Sequence, residues 1–242
     1  MPQMKSTIRM RSYVTAVMIC GLAVIAFTAS HMKQLDGAHF AGLLCAAALA
    51  SRLSLKIPRL TASISLDIPF VILAAVQMGF AAAVVVAGVS TLIQCLKPGL
   101  DKSGMMKLFF NVSVLSIAAA TAGYCAQTFT MSGVRFATAG AVLLVVNSVL
   151  VAIVVSLDGN GSAAKIWSQL ISWSFPAYVL GAGLASMMVA SQPIMGWYVP
   201  LLTLPVIVLV YQSYGKYFAA GAADAKRGSA SVTEQAEELV TA

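Results

Sequence analysis

Long apolar segments alternate with short polar gaps along most of the chain. In order, they are Tyr13–Ser30, Gly37–Ser51, Ile64–Gly79, Phe80–Leu96, Met105–Phe129, Val134–Leu157, Phe175–Ser191 and Ile194–Phe218. A helix needs about 20 mostly apolar residues to cross the hydrocarbon core of a bilayer. The pattern therefore predicts an all-α, polytopic membrane bundle of about eight transmembrane helices. Gly37–Ser51 and Ile64–Gly79 are shorter than this, so each is either a full span or a re-entrant, half-buried helix.

Basic residues occupy alternate gaps between these segments. All but two of the 15 Lys and Arg residues lie at the chain ends, or in or beside every second gap: Lys5, Arg9, Arg11, Arg52, Lys56, Arg59, Lys97, Lys102, Lys107, Lys165, Lys216, Lys226 and Arg227. In or beside the other gaps are only Lys33 and Arg135. Because positive charge in short loops stays on the cytoplasmic side during insertion, we expect both termini in the cytoplasm. The first segment resembles a signal peptide, but its length and its direct continuation into further segments favour an uncleaved helix.

Composition agrees with a membrane protein. Hydrophobic residues make up 60% of the chain and charged residues 10%, while the net charge is +7. Such a basic chain invites a nucleic-acid interpretation, but the basic residues flank apolar segments and form no patch interleaved with aromatic residues. The expected partner of these charges is therefore the anionic lipid of the bilayer, and no nucleic acid is expected.

The region between the second and third segments has a different pattern. From Arg52 to Asp67, polar and apolar residues alternate with a period near two around Pro58. This period favours strands, so we predict a short cytoplasmic β-hairpin at 52–66, with an extended loop as the alternative. Residues 1–218 are then one transmembrane domain, and residues 219–242 form a short cytoplasmic tail, flexible or partly helical.

Four polar residues in or beside the apolar segments are the candidates for an internal polar cluster. They are Asp67, Lys107, Asn111 and Asn147. An ionisable or amide group at membrane depth is expensive, so it should face protein or water. Asp67 is interpreted as a proton relay, a cation partner, half of an ion pair, or a helix N-terminal carboxylate, and the last is favoured by Pro69. The three others are interpreted as a polar cavity lining, as amides that join helices, or, for Lys107, as a side chain reaching the headgroups.

Catalytic and metal-binding patterns are missing from the sequence. It has no nucleophile elbow, zincin motif, Walker-type phosphate loop or paired intramembrane aspartates, and it has two His and eight acidic residues. The four Cys residues lie inside apolar segments without metal-ligand spacing. We therefore expect no enzyme activity, no catalytic residues, no cofactor and no metal site.

Several segments together resemble a known bacterial family. Ser65-Leu-Asp-Ile-Pro-Phe-Val-Ile-Leu-Ala-Ala, Lys107-Leu-Phe-Phe-Asn and Asn147-Ser-Val-Leu-Val-Ala occur in this order, followed by Pro176-Ala-Tyr-Val-Leu-Gly and a closing segment from Leu204. They resemble the membrane-associated sensor module that precedes HD-GYP or GGDEF output domains in cyclic-di-GMP signalling proteins. The resemblance covers about residues 52–218, and it rests on the order and spacing of moderately specific motifs.

The resemblance implies a sensor in the bacterial cytoplasmic (inner) membrane. It transfers no binding residues, because the ligand of such modules is generally not known. No HD-GYP or GGDEF residues follow the last segment, so we expect signalling to pass through a partner protein in the membrane or the cytoplasm. Two alternatives stay open: a small-molecule binding or transport subunit of the substrate-capture type, and a structural or assembly subunit of a membrane complex.

Overall fold

The computed structural model describes residues 2–31, 37–56, 63–96, 101–159, 161–213 and 215–216. Its helices are α1 (Pro2–Ser30), α2 (Gly37–Ser51), α3 (Ile68–Gln77), α4 (Phe80–Cys95), α5 (Lys102–Gln127), α6 (Ser132–Leu157), α7 (Ala163–Met195) and α8 (Val199–Leu202). A 3-10 turn, Gly196–Tyr198, joins α7 to α8. Helical residues continue at 204–213 after Thr203, so that the last apolar helical region is Val199–Ser213. The all-α prediction is confirmed.

Four helices are long and apolar enough to cross a membrane by length and composition. They are Ile8–Ser30 within α1, and α5, α6 and α7 in full. The shorter apolar helices are α2, α3, α4 and Val199–Ser213. The structure thus supports a transmembrane protein, while the count of eight spans and the orientation of the termini stay predictions.

The helix α3 is enclosed by the rest of the protein. It has 10 residues, which at 1.5 Å per residue gives about 15 Å, roughly half of the hydrocarbon core. Every residue from Ile68 to Val76 is buried, and α3 packs against α4, α5, α6 and α7. An apolar helix exposed on no side belongs to the interior of a protein rather than to a lipid boundary.

Small residues of α7 make this enclosure possible. Ala177, Gly181 and Ala185 follow one another at intervals of four, and all three are buried. A Cβ atom added at Gly181 would come within 2.8 Å of Ile68 Cγ2 at the start of α3. The predicted small-residue ladder therefore lets α7 approach α3 closely, as small residues do between membrane helices.

Proline residues affect the last helices according to their position. The helix α7 continues through Pro176, and Pro193 lies in its last turn. Pro200 stands in the first turn of α8, where a missing backbone N–H costs little. The helix breaks at Thr203, whose hydroxyl donates to the carbonyl of Pro200.

Two short strands lie in the region predicted as a hairpin. β1 (Ser54–Lys56) pairs antiparallel with β2 (Ser63–Ser65), and Leu55 is opposite Ile64. The connection at 57–62 lies outside the described residues, so the complete hairpin and its cytoplasmic placement stay predictions. The predicted tail at 219–242 also lies outside the described residues.

Candidate functional site

The carboxyl group of Asp67 lies in the interior, at the start of the enclosed helix. Asp67 is in the turn between β2 and α3, is the N-cap residue of α3, and is 2% exposed. Its backbone carbonyl accepts from the N–H groups of Phe70 and Val71. Its side chain makes no capping hydrogen bond. Asp67 therefore lies at the N-terminus of α3, but its carboxylate makes no hydrogen bond to the free N–H groups of the first turn.

The side chain of Asp67 turns instead towards the hydroxyl groups of two serines. Ser90, in α4, is completely buried and donates a hydrogen bond from Oγ to Asp67 Oδ2. Ser65, two residues before Asp67, has its hydroxyl beside the same carboxyl. The geometry at Ser65 falls short of a hydrogen bond, so its buried Oγ has no hydrogen-bond partner within the described part of the chain. The carboxyl thus lies between one bonded and one nearby hydroxyl.

Local sequence explains why the carboxyl is held in this place. The β1–β2 pairing and a hydrogen bond from the N–H of Leu66 to the carbonyl of Leu53 hold the chain just before Asp67. Pro69 then occupies the first turn of α3, where its fixed φ suits a helix start. Asp67 therefore lies between a paired strand and a rigid helix start, with its side chain in protein.

Tyr178 and Asn147 extend this polar group between three helices. Asn147 Nδ2, in α6, donates to the hydroxyl oxygen of Tyr178, in α7, over 3.1 Å. Tyr178 is buried one turn before Gly181, where α7 meets the start of α3. We call the carboxyl, its two serines and the neighbouring amide–hydroxyl pair the Asp67 cluster: Ser65, Asp67, Ser90, Asn147 and Tyr178.

The other two predicted residues do not belong to the Asp67 cluster. Lys107 and Asn111 are both exposed, and Asn111 Nδ2 lies 3.7 Å from Cys95 Sγ. They share one face of α5 because they are four residues apart, while Leu108, Phe110 and Val112 on other faces are buried. Of the four residues predicted for an internal polar cluster, the structure thus places Lys107 and Asn111 on an exposed face of α5, apart from Asp67 and Asn147.

Burial dominates the electrostatics of Asp67. It lies outside the four long helices, and loss of hydration raises the pKa of its carboxyl, while the hydrogen bond from Ser90 and the nearby Ser65 hydroxyl oppose that effect. Within the described residues, no Lys or Arg compensates the charge. A buried carboxylate without a cation is costly, so burial shifts this carboxyl towards its neutral form.

A small cavity begins beside the cluster. It has a volume of about 20 Å³ and is lined by Ser65, Ile68 and Pro69 on one side and by Ala177, Gly181 and Ile207 on the other. One water molecule needs about 10–15 Å³ of such space. The cavity therefore has about the volume of one water molecule and excludes a larger one, and its lining is apolar apart from Ser65.

Different polar contacts lie at the opposite end of α3. The amides of Gln77 and Gln192 donate to each other over 2.6 and 3.1 Å. Arg135 Nη2 donates to the carbonyl of Val76 over 2.6 Å, which places a cation at a helix C-terminus. These contacts fasten α3 to α6 and α7, in agreement with the interpretation of amides as groups that join helices.

Sequence reasoning missed Ser65, Ser90 and Tyr178. The hydroxyl of a serine in an apolar helix commonly bonds its own backbone, so Ser90 carries no signal by itself. Tyr178 is 5% exposed and its hydroxyl accepts from Asn147, and a tyrosine in an apolar segment gives no sign of such a role by itself. The 31-residue separation of Asn147 and Tyr178 is the spacing expected of antiparallel neighbours, which is the only clue the sequence contains.

Neither a metal site nor a comparison with known proteins assigns a role to the Asp67 cluster. Among the described residues, no three His, Cys, Asp or Glu side chains come together as a metal site would require. Comparison of the chain with protein-family models, curated proteins and solved structures finds no match. The resemblance to a sensor module therefore stays a prediction from the motifs alone.

Proposed function

We propose that the chain is an integral membrane sensor that receives its signal at the Asp67 cluster and acts through a partner protein. The observation that carries this proposal is the buried carboxyl of Asp67, which has two hydroxyls beside it and no compensating Lys or Arg within the described residues. Ionisable groups inside membrane proteins are expensive to keep and generally serve a function. The resemblance of the motifs to a sensor module supports the same assignment.

The position of the cluster favours transmission to other helices. Asp67 stands at the start of α3, Ser90 lies on α4, and Asn147 and Tyr178 join α6 to α7. A change in the charge of Asp67 thus acts on four helices at once. Packed interfaces of this kind change between discrete arrangements rather than deform continuously, which suits a switch.

Small-molecule capture, the main alternative, receives less support. Ligand pockets for small molecules commonly have volumes of 300–1,000 Å³. The cavity beside the cluster has about 20 Å³. A proton or another very small ligand therefore suits this site better than a transported organic molecule.

The partner is expected at the end of the bundle where basic residues collect. Arg52 and Lys107 are exposed and lie in gaps that the charge pattern assigns to the cytoplasm. Met131 precedes α6, beyond the other end of α5, and is 70% exposed. Crosslinking from these positions tests in one experiment whether a partner protein binds and at which end of the bundle it binds.

Photo-crosslinking in native membranes tests the proposal. A photoreactive amino acid replaces Arg52 or Lys107 in the full chain, and Met131 in the matched control. We expect one protein to be crosslinked from positions 52 and 107 and not from 131. We also expect the yield to change severalfold when Asp67→Asn is added, because the signal passes through that carboxyl.

The folded state of each variant is checked by its thermal melting in detergent. A partner crosslinked equally with Asp67 and with Asn at position 67, in folded protein, would contradict the sensor assignment and favour a structural subunit. If neither position 52 nor position 107 gives a crosslink, the proposal of a partner protein fails.

A further inference from the structure

We propose that Asp67 is a proton-binding site. This inference deepens the proposed function, because it names the ligand of the cluster as a proton. Its basis is geometric: a carboxyl in the interior, a hydrogen bond to it from the buried Ser90, and the Ser65 hydroxyl near it. The proposal concerns binding and release at one oxygen atom and involves no other chemistry.

Two hydroxyls suit the protonated form of the carboxyl. Ser90 donates to Oδ2 and holds the carboxyl in place. The Ser65 hydroxyl is near the same carboxyl and has no hydrogen-bond partner within the described residues. Because a protonated acid has an O–H group to donate, the Ser65 oxygen is available as its acceptor.

The oxygen atoms at the site suit a proton better than a metal cation. Hard cations in proteins take about six to eight oxygen ligands. The described side chains at the site supply the two carboxyl oxygens and two serine hydroxyls, and one of these hydroxyls already donates to the carboxyl. A proton needs a single oxygen, and the neutral acid donates its own O–H while still accepting from Ser90.

Among the described side chains, which do not include those of Lys56, Arg59 and Lys97, no charged group on the elements around α3 compensates the charge of Asp67. Tyr178 on α7 is neutral when protonated, and Cys95 ends α4. Arg135 on α6 binds Val76 at the opposite end of α3. Lys102 and Lys107 on α5 are exposed, as is Arg52 after α2. The side chain of Lys56, in β1, lies outside the described residues, so it is included in the experiment.

Proton loss has a definite structural consequence at this position. The carboxylate would stand next to Ile68, where α3 and α7 meet at Gly181 with little free space. Additional water drawn to the charge needs volume that the cavity of about 20 Å³ does not have. Deprotonation therefore favours separation of α3 from α7, which is the movement that a partner would detect.

Infrared difference spectroscopy of the purified full-length protein tests the proposal. A protonated carboxylic acid has a carbonyl stretching band that a carboxylate lacks. We expect this band in the wild type at neutral pH, its loss at higher pH, and its absence from Asp67→Asn. Ser90→Ala retains the acid and removes a hydrogen bond that favours the carboxylate, so the band should persist to higher pH than in the wild type.

Asp101→Asn is the matched control, since Asp101 is exposed and Asn caps a helix equally well. It should leave the band unchanged. A band that is missing from the wild type at neutral pH, or equal in Asp67→Asn, overturns the proposal. So does a band that emerges only after Na⁺ and K⁺ are replaced by a bulky organic cation, because a metal cation then occupies the site.

The Lys56→Met variant distinguishes a proton site at Asp67 from an ion pair between Asp67 and Lys56. If the band is present only in Lys56→Met, Lys56 is the counter-ion of an ionised Asp67 and the proposal fails. The sensor assignment is judged independently by the crosslinking yields. If the infrared band shows a proton site but the crosslinking yield does not depend on Asp67, the sensor assignment is wrong. If the yield depends on Asp67 but the band is absent, the proton proposal is wrong.

Discussion

The helices α1 and α3 are both apolar, but α1 has 29 residues and is largely exposed, whereas α3 has 10 residues and is buried throughout its apolar length. Only 22% of the most apolar window of α1 is buried inside the protein. Length and exposure vary together because a helix surrounded by lipid must match the bilayer, while a helix surrounded by protein need not. The buried carboxyl of Asp67 lies at the start of α3, where neighbouring helices rather than lipid surround it.

The largest expected difference between the two helices concerns side-chain packing. Leu73, in α3, is 1% exposed and Leu22, in α1, is 67% exposed. Leu73→Ala should lower the free energy of unfolding by about 2–5 kcal/mol because it leaves a cavity. Leu22→Ala, chemically the same change, should stay within about 0.5 kcal/mol. Unfolding in mixed detergent micelles measures both, and equal effects would show that α3 is not enclosed.

The second prediction concerns pH and the start of α3. Because the pKa of Asp67 is raised above 3.8 in the folded state, folding retains a proton that the unfolded chain releases. Its contribution is complete below the unfolded pKa and is lost as pH rises through the folded pKa. The unfolding free energy should therefore fall with rising pH by up to about 1.4 kcal/mol per pH unit within this window.

The unfolding free energy of Asp67→Asn, measured over the same pH range, isolates this contribution. Subtracting its pH dependence from that of the wild type leaves the part that belongs to Asp67. A difference that is flat, or that rises with pH, would show that the folded protein prefers the carboxylate.

The third prediction compares two glycines of α7. A Cβ at Gly181 meets Ile68 of α3, whereas a Cβ at Gly183 has no heavy atom within 4 Å. Gly181→Ala should destabilise by about 1–3 kcal/mol through overpacking. Gly183→Ala should stabilise by up to about 1 kcal/mol, because Ala favours a helix more than Gly does. Thermal melting in detergent distinguishes the two signs, and stabilisation by both would place α7 further from α3.

The smallest effect is expected for the amide of Asn147. A double-mutant cycle with Asn147→Leu and Tyr178→Phe should give a coupling energy of about 0.6 kcal/mol, typical of hydrogen bonds between membrane helices. Both variants retain the size of the side chain, so the coupling reports the hydrogen bond of 3.1 Å. A coupling of zero would remove Asn147 from the Asp67 cluster.

Helix positions were largely predictable from the sequence because lipid imposes strong limits on composition. The predicted segment Gly37–Ser51 coincides with α2, and Phe80–Leu96 ends one residue after α4. The segment Ile64–Gly79 was less accurate, since Ser63–Ser65 is a strand and α3 begins at Ile68. Enclosure by other helices, which no local pattern records, allows α3 to be this short.

Of the residues in the Asp67 cluster, the sequence singled out only Asp67 and Asn147. Asp67 and Asn147 stand out because they are polar residues in or beside apolar segments. Lys107 and Asn111 stand out for the same reason, yet they lie on an exposed face of α5. Whether a helix turns a residue inward depends on which neighbours it packs against. The apolar content of these helices is too uniform around their circumference to reveal that choice.

The enclosure of α3 also constrains the order of biosynthesis. Gly79, with φ of 92°, reverses the chain directly between α3 and α4, so the two helices emerge from the ribosome as one hairpin. The packing partner α7 begins at Ala163 and is made much later. Until then the start of α3, including the carboxyl of Asp67, has no α7 to cover it. Because an uncovered carboxylate in lipid is costly, we expect this hairpin to reach its final place in the bilayer only after α7 has been made.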